Sequence, residues 1–375
     1  MRARRAHDIE SWCLRTGNLV VTLTAPRFWA AAQRAHLDEH LPPRRALPHR
    51  MHECPVTRLR ADIRIGRTEV DRITETARTH SRQPVIETVP GVELQRFRYG
   101  GGVYFAVVAD RLEGRPGAWA VRATPGTATL FLRDGSARSH HYPLRIIREV
   151  MMRCHENHGG LVMHAAAAAC DGGGVLVCGP RARGKTTTLA RMLRLGARLL
   201  SNDRVLLQQD DELVAVPLPV PLGRGTLDSD PELTAAAGRP AVEALPVTFA
   251  STGKLSLSPR AFAAALGSEL AATAGLRLVV LPGLVDTREL PSVRWLTPRE
   301  GGAALAECCF TPHDEFWLRP WLARRTATDA ALGDHARKRL ADVAKTVPAI
   351  SVRFGVRNPV EQLDGALREA LRGAP

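Results

Sequence analysis

Gly179-Pro-Arg-Ala-Arg-Gly-Lys-Thr186 is the most informative segment of this chain. It matches the pattern G-x-x-x-x-G-K-[ST], in which glycines let the backbone curl so that its N–H groups can surround phosphates. The segment follows the apolar run Val175 to Cys178 and precedes a helical pattern from Thr186 to Leu195. This strand, loop and helix order is the context that the motif requires, so we predict a phosphate-binding loop. We call residues 179–186 the glycine loop.

The motif assigns a role to each type of residue in the glycine loop. Lys185 is expected to reach the β- and γ-phosphates of ATP, and the hydroxyl of Thr186 to bind Mg²⁺. The amino terminus of the following helix adds partial positive charge at the same place. The residues expected to bind the nucleotide are Gly179, Pro180, Arg181, Ala182, Arg183, Gly184, Lys185, Thr186 and Thr187.

The segments around the glycine loop predict an α/β nucleotide-binding domain over residues 143–375. A strand at 161–170, a turn at 171–174 and a strand at 175–178 lead into the loop, and the next strand follows at 197–200. Further strands are expected at 205–208, 277–281 and 349–354, and helices at 259–266 and 329–345. Asn358 is expected to cap a last helix.

Residues 1–142 are expected to form a smaller, β-rich α+β region of unknown role. An antiparallel meander is predicted from the short apolar runs 103–109, 119–123 and 127–132. Residues up to about 95 show little sustained periodicity, and 41–55 are expected to be a loop or linker. A helix opened by Pro143 and stopped by Gly159 is expected to pack on the sheet that follows it.

Composition limits the classes of partner. The chain of 375 residues has a formal net charge of +14, which would favour nucleic acid as a partner. Its basic residues are nearly all scattered arginines without an aromatic ladder, so nucleic-acid binding is not expected. Seven cysteines without C-x-x-C spacing, and no long apolar run, indicate a reduced cytoplasmic protein without a membrane segment. A homo-oligomer is left open.

The residues after the glycine loop narrow the type of nucleotide-binding protein. The chain contains neither the guanine-reading pattern N-K-x-D nor the transporter signature L-S-G-G-Q. Instead, Gly196 to Leu207 predicts a strand that brings Asp203 to the phosphates at its carboxyl end.

The succession of His164, an apolar strand, a Gly-rich hairpin, the glycine loop, a helix and the triplet Ser201-Asn202-Asp203 resembles the HPr kinase/phosphorylase family. That family includes shorter relatives in biosynthetic clusters for ribosomally made peptides. The resemblance covers residues 143–215 well and extends weakly to the end through the segment 346–355. It implies an ATP-dependent kinase that transfers the γ-phosphoryl group to a hydroxyl, most naturally a serine of a peptide or protein.

The resemblance also implies roles for three side chains. Asp203 stands where the family has its general base, His164 where it has a histidine near the transferred phosphate, and Lys185 completes the catalytic set. The implied Mg²⁺ ligands are Thr186, Asn202 and Asp203, with Asn202 in place of the family's first aspartate. If that missing carboxylate matters to Mg²⁺, Asn202→Asp should leave activity intact or raise it.

Other parts of the chain depart from the family. Its E-x-R-G-x-G loop is absent, so HPr is not the expected substrate; a Pro- and Gly-rich segment at 216–228 stands in its place as a candidate substrate-side loop. Asp228 or Asp230 is a candidate for the missing metal carboxylate. Lys254, in a lysine-poor chain, is a candidate for phosphate or substrate contact as well as an ordinary surface lysine.

Two alternative functions remain open from the sequence. Asn202 also fits a non-catalytic partner protein that binds ATP without transferring phosphate. The positive charge leaves a nucleic-acid-binding ATPase as a third class. An acidic and aromatic segment at 314–321 is either a lid or a buried satellite cluster.

Overall fold

The structure is a computed structural model that describes residues 8–42, 57–80, 85–89, 91–111, 117–313 and 320–373. The chain divides into two units. The amino-terminal unit comprises residues 1–37, 49–157 and 313–326, and the carboxyl-terminal unit comprises residues 38–48, 158–312 and 327–375. The division falls at the end of the helix 141–157, whereas the sequence analysis placed the boundary at its beginning. This helix therefore belongs with the preceding sheet.

The amino-terminal unit is built on one mixed sheet of eight strands. The strands are β1 (Ile9–Thr16), β2 (Leu19–Pro26), β3 (Thr57–Ile65), β4 (Val85–Val89), β5 (Val92–Tyr99), β6 (Gly102–Asp110), β7 (Trp119–Thr124) and β8 (Thr127–Leu132). The helices are α1 (Arg27–His40), α2 (Arg67–Thr79) and α3 (His141–Asn157), with a 3₁₀ turn at Ala137–His140. The strand order is β1-β2-β3-β8-β7-β6-β5-β4, and the β2–β3 and β3–β8 pairs are parallel.

The expected meander is confirmed as β6, β7 and β8, which pair antiparallel in sequence. The regular structure between residues 9 and 99 was not expected. The sequence does contain a pattern that indicates a strand there: in β2 every second residue is apolar or small and is buried. The apolar face of α2, with Val70, Ile73 and Ala77, packs on Phe97 and Phe131 of the sheet and closes a small core.

The carboxyl-terminal unit contains the remaining elements. Its strands are β9 (Leu161–Met163), β10 (Ala165–Cys170), β11 (Gly173–Cys178), β12 (Arg198–Ser201), β13 (Val205–Leu207), β14 (Glu212–Ala215), β15 (Val220–Leu222), β16 (Leu255–Leu257), β17 (Thr273–Val285), β18 (Ser292–Trp295) and β19 (Ala349–Gly355). Its helices are α4 (Lys185–Arg194), α5 (Arg224–Asp228), α6 (Pro231–Ala237), α7 (Arg239–Glu243), α8 (Pro259–Ala265), α9 (Pro298–Glu307), α10 (Asp329–Thr346) and α11 (Gln362–Gly373).

The long strand β17 organises this unit. It pairs in parallel with β11 on one side and with β19 on the other, and its first residues pair antiparallel with β14. Side chains alternate between two buried clusters along β11, where Val175 and Val177 face one cluster and Leu176 and Cys178 face the other. Helices α4, α8 and α11 contribute to the first cluster, and α9 and α10 to the second. The unit is therefore of the expected mixed α/β class.

The predicted site residues lie at one end of three neighbouring strands of this sheet. β10 runs antiparallel to both β11 and β12, with Ala165 opposite Cys178 and Ala167 opposite Ser201. The end of β11, the beginning of β10 and the end of β12 therefore lie at the same edge. The strand expected at 161–170 is interrupted at His164, which stands between β9 and β10.

Some expectations fall partly outside the described residues. Of the linker at 41–55, the structure describes 41 and 42, and the acidic and aromatic residues 314–319 are not described. Trp321 is described: its ring lies 5.3 Å from that of Phe105 and 5.9 Å from that of Trp119. No helix of the described ranges is long and apolar enough to cross a membrane.

The helix after the glycine loop is anchored to α11 by an ion pair, which gives a stability prediction. Arg191 Nε and Nη2 donate to the Asp364 carboxylate at 2.8 and 2.6 Å, and the side chains are only 10% and 17% exposed.

We expect Asp364→Ala to lower the free energy of unfolding by about 2 kcal/mol, because it leaves a nearly buried guanidinium without its partner. Urea titration checks this. Glu369→Ala, an exposed position on the same helix, is the matched control; equal effects of the two would refute a role for the pair.

Candidate functional site

The glycine loop has a backbone that its sequence explains. Gly179 and Gly184 have φ of 145° and 97°, and Ala182 between them has φ of 63°. A Cβ atom on Gly184 would lie 3.0 Å from Leu284 Cβ and 3.1 Å from Phe354 Cζ. Glycine is needed there both for the positive φ and for the close approach of β17 and β19. Helix α4 begins at the next residue, so its amino terminus faces the loop.

Lys185 closes the glycine loop. Its Nζ donates to the carbonyl oxygens of Gly179 at 2.7 Å and Pro180 at 3.2 Å, so the ammonium lies across the residues that begin the loop. Burial lowers the pKa of Lys185, and the negative charge of Asp203 acts in the opposite direction. The charged ammonium is thus destabilised in the protein without a ligand, and an anion bound at the loop would stabilise it.

Asp203 lies beside the loop and is held by two cationic or polar groups. His164 Nε2 is 3.4 Å from Asp203 Oδ1, and Arg204 Nη1 is 2.6 Å from Asp203 Oδ2. Burial would raise the pKa of Asp203, but the hydrogen bond from His164 and the charges of Arg204 and Lys185 outweigh it, so the pKa is lowered. The sheet edge thus brings the three expected catalytic residues, His164, Lys185 and Asp203, together.

Phe310 and Cys308, which follow α9, support this group. The rings of Phe310 and His164 are stacked, with centroids 4.7 Å apart. The Arg204 guanidinium lies over the Phe310 ring, 5.2 Å from its centroid. The carbonyl oxygen of Cys308 accepts from the backbone N–H of His164 at 2.6 Å. The backbone N–H of Gly179 donates to Cys308 Sγ at 3.1 Å. Cys308 therefore fixes both the histidine and the beginning of the glycine loop.

Cys308 and Cys178 form a buried thiol pair beneath the loop. A hydrogen bond from Cys178 lowers the pKa of Cys308. Burial acts in the opposite direction, and the Gly179 N–H and the charge of Lys185 lower the pKa further. The pKa of Cys178 is raised for the converse reason, because its thiol is the donor. The sequence analysis counted these cysteines but gave them no role. Their separation of more than a hundred positions leaves no local signal.

Asn202 is buried and makes a structural hydrogen bond. Its Nδ2 donates to the Pro219 carbonyl oxygen at 3.2 Å, and Ser201 Oγ lies 3.1 Å from the carbonyl oxygen of Val216. The Oδ1 atom of Asn202 has no hydrogen-bond partner within the described part of the chain. Aspartate at this position would lose the donor to Pro219. This changes the expectation that Asn202→Asp is harmless.

The two acidic residues considered as extra metal ligands are engaged elsewhere. Asp228 pairs with Arg224 at 2.6 Å. Asp230 caps α6 through the Leu233 N–H at 3.1 Å and binds Arg194 at 2.7 Å. Both carboxylates are therefore already paired with arginines, Asp228 with Arg224 of its own helix and Asp230 with Arg194 of α4, and a role for either as a metal ligand stays a prediction.

The comparisons with known proteins give no further guidance on this site. A scan against protein-family models finds no matching family. A search of curated proteins finds no match. The functional argument therefore rests on the geometry of the glycine loop and its neighbours.

Proposed function

We propose that this protein is an ATP-dependent kinase of the P-loop, HPr kinase-like type that transfers the γ-phosphoryl group to a hydroxyl of a peptide or protein, most naturally serine. The observation that carries the proposal is the position of the Asp203 carboxylate, bonded to Arg204 and His164 and electrostatically coupled to Lys185 of the glycine loop. A phosphate cradle and a potential proton acceptor thus lie side by side.

The residues divide the work of phosphoryl transfer. The backbone N–H groups of the glycine loop and the Lys185 ammonium would bind the β- and γ-phosphates. Asp203 Oδ2 is held by Arg204 at 2.6 Å, whereas Oδ1 has the longer contact of 3.4 Å with His164 Nε2, so Oδ1 is the better placed of the two atoms to accept the hydroxyl proton. The acceptor oxygen forms a bond to the γ-phosphorus, the bond from that phosphorus to the β–γ bridging oxygen breaks, and ADP leaves with the bridging oxygen.

The oxygen atoms available near the glycine loop would suit a Mg²⁺ ion that is bound mainly through the phosphates of the nucleotide. The described residues contain no group of three or more His, Cys, Asp or Glu side chains that could hold a metal alone. Mg²⁺ usually takes one or two protein oxygens, with phosphates and waters completing its shell. The Thr186 hydroxyl, Asp203 and the orphaned Asn202 Oδ1 are the candidate oxygens. The ion supplies charge compensation for the phosphate oxygens when bound.

The direct test is phosphoryl transfer to a panel of synthetic peptides that contain Ser, Thr or Tyr. Incubation with Mg-ATP should add one phosphoryl group to a subset of the serine peptides by mass spectrometry, and peptide should stimulate ADP production. Tight ATP binding without transfer across the panel would replace this proposal by the second candidate below. Failure to bind ATP would overturn both.

The second candidate is a partner protein that binds ATP without catalysis. It is favoured by the lowered pKa of Asp203, because the bonds to His164 and Arg204 make this carboxylate a weaker base. Asp203 is nevertheless an ionised carboxylate beside the glycine loop, and in kinases an aspartate takes the proton of the acceptor hydroxyl. The kinase remains the proposal for this reason.

The third class, a nucleic-acid-binding ATPase, leads to a separate prediction. Several of the arginines that produce the charge of +14 are paired, for example Arg194 with Asp230 and Arg339 with Asp211. We expect no submicromolar binding of duplex or single-stranded DNA or RNA at physiological salt. Fluorescence anisotropy between low and physiological salt measures this, and tight binding with a steep salt dependence would show that the arginines contact phosphates.

A further inference from the structure

Lys254 lies next to a two-stranded antiparallel sheet formed by β15 and β16. It directly precedes β16, which pairs antiparallel with β15 so that Leu255 lies opposite Leu222. We call residues 216–257 the acceptor-side segment. Lys254 is exposed, and a ligand at the glycine loop could therefore reach it.

Two side chains next to Asp203 tie the beginning of this segment to the site. Asn202 Nδ2 donates to Pro219, one residue before β15, and Ser201 Oγ lies close to the Val216 carbonyl oxygen. Because Asn202 and Asp203 are adjacent, this tether fixes the strand pair relative to the catalytic carboxylate.

The same segment is also tied to the helix after the glycine loop. Thr226 Oγ1 lies 3.0 Å from Thr187 Oγ1 in the first turn of α4. Arg224 Nη1 donates to the carbonyl oxygens of Val242 and Glu243, both at 3.1 Å, which holds the middle of the segment together. The strand that pairs with β16, next to Lys254, is thus followed by a residue that contacts α4.

The charge of Lys254 acts on the residues of the candidate site. Burial lowers the pKa of Lys254, Arg181 lowers it further, and Asp203 raises it, while the charge of Lys254 in turn contributes to lowering the pKa of Lys185. The charge of Lys254 therefore interacts with those of Arg181, Lys185 and Asp203. Across the described ranges, neither Lys254 nor Arg181 forms an ion pair with a carboxylate.

We propose that Lys254 is a phosphate-binding residue that contacts the terminal phosphoryl group of the nucleotide, and that Asn202 is a positioning residue that holds the segment carrying it. The proposal rests on the nucleotide binding proposed above. In this proposal the glycine loop and Lys185 bind the phosphates, and Lys254, whose charge interacts with that of Asp203, contacts the terminal phosphoryl group from the acceptor-side segment. ADP lacks the group that Lys254 would contact, so Lys254 should distinguish ATP from ADP.

The test is calorimetric titration of the wild type and Lys254→Ala with Mg-ATP and Mg-ADP. We expect Lys254→Ala to weaken ATP binding roughly 10- to 100-fold, as for loss of a charge-assisted hydrogen bond, with ADP binding unchanged. Lys254→Arg keeps the charge and should retain most of the preference for ATP. Lys338→Ala, which removes an exposed lysine charge on α10, is the matched control and should change neither affinity.

The outcomes separate this proposal from the proposed kinase activity. Equal losses for ATP and ADP, or no loss beyond that of Lys338→Ala, would overturn the role of Lys254. If Lys254→Ala loses the preference for ATP over ADP but the wild type phosphorylates no peptide, the contact between Lys254 and the phosphate is supported and the kinase activity is not. A wild type that binds no ATP would overturn both.

Asn202→Asp tests the tether. The carboxylate cannot donate to the Pro219 carbonyl oxygen, so we expect the same selective loss of ATP affinity, and no further loss when Lys254→Ala is added, because both changes act through one contact. Additive losses would show that Asn202 does not act through Lys254. Tighter ATP binding by Asn202→Asp would show that loss of the donor to Pro219 does not weaken ATP binding, and it would overturn the positioning role. Asn202→Ala, which removes the donor without adding charge, should behave as Asn202→Asp does.

Discussion

Lys185→Ala is expected to weaken Mg-ATP binding by roughly 10²-fold or more, because it removes an ammonium that would make charge-assisted hydrogen bonds to two phosphates. The fold should not suffer. Burial lowers the pKa of Lys185, which means that the charged side chain is less stable inside the protein than in water. The variant loses the hydrogen bonds to Gly179 and Pro180, which destabilises the fold, but it also removes a charge that is costly to bury, which stabilises it. The free energy of unfolding should change by no more than about 1 kcal/mol.

Calorimetry gives the affinity in this experiment, and urea titration gives the stability. Lys345→Ala is the control, since Lys345 is exposed on α10 and pairs with Asp342. Unchanged ATP affinity in Lys185→Ala would remove the basis for nucleotide binding at the glycine loop. A large loss of stability would mean that the lysine serves the fold rather than a ligand.

Asp203→Asn is expected to abolish phosphoryl transfer while ATP binding persists. The amide keeps the shape of the side chain but cannot accept the hydroxyl proton, and loss of a general base commonly costs about 10² to 10⁴ in rate. ATP affinity should be retained or increased, because the variant removes a negative charge that lies near Lys185 and would repel the phosphates. Peptide phosphorylation by mass spectrometry and ATP binding by calorimetry measure the two effects.

Asp342→Asn, at a carboxylate on α10 that pairs with Lys345, is the control for Asp203→Asn. Equal phosphorylation by Asp203→Asn and the wild type would exclude Asp203 as the base. Stability offers a second check. The lowered pKa of Asp203 contributes stability above the ordinary aspartate pKa, and this contribution is lost as the pH falls through the lower folded value. The difference in stability between wild type and variant should therefore shrink in acid.

The local pattern predicted the part of the site that lies near the glycine loop in sequence. The expected hairpin and strand before the loop are β10 and β11, and the helix after it is α4, displaced by one residue at each end. These elements follow from local signals: a glycine turn, an apolar run and a motif with fixed spacing. The five alanines of β10 form a strand although alanine is not a strong strand former, because neighbouring strands and helices bury them on both faces.

The rest of the site depends on contacts that no local pattern encodes. Phe310 and Cys308 reach His164 and Gly179 only through the packing of α9 against the sheet. The expected cap of the last helix was wrong for a related reason. Asn358 Nδ2 donates to the distant Glu289 carbonyl oxygen at 2.7 Å, and α11 begins at Gln362. Asn358 is therefore held by a residue far away in sequence, and the helix begins four positions beyond it.

The central position of β17 has a consequence for synthesis of the protein on the ribosome. β11, which carries the glycine loop, pairs in parallel with β17, and β17 pairs with β19 near the carboxyl end. A nascent chain that has emerged only as far as residue 270 must therefore hold β11 as an unpaired, apolar strand edge. Such an edge attracts other chains and is a natural place for a chaperone to bind. The candidate site around the glycine loop can be completed only after β17 and β19 have been synthesised.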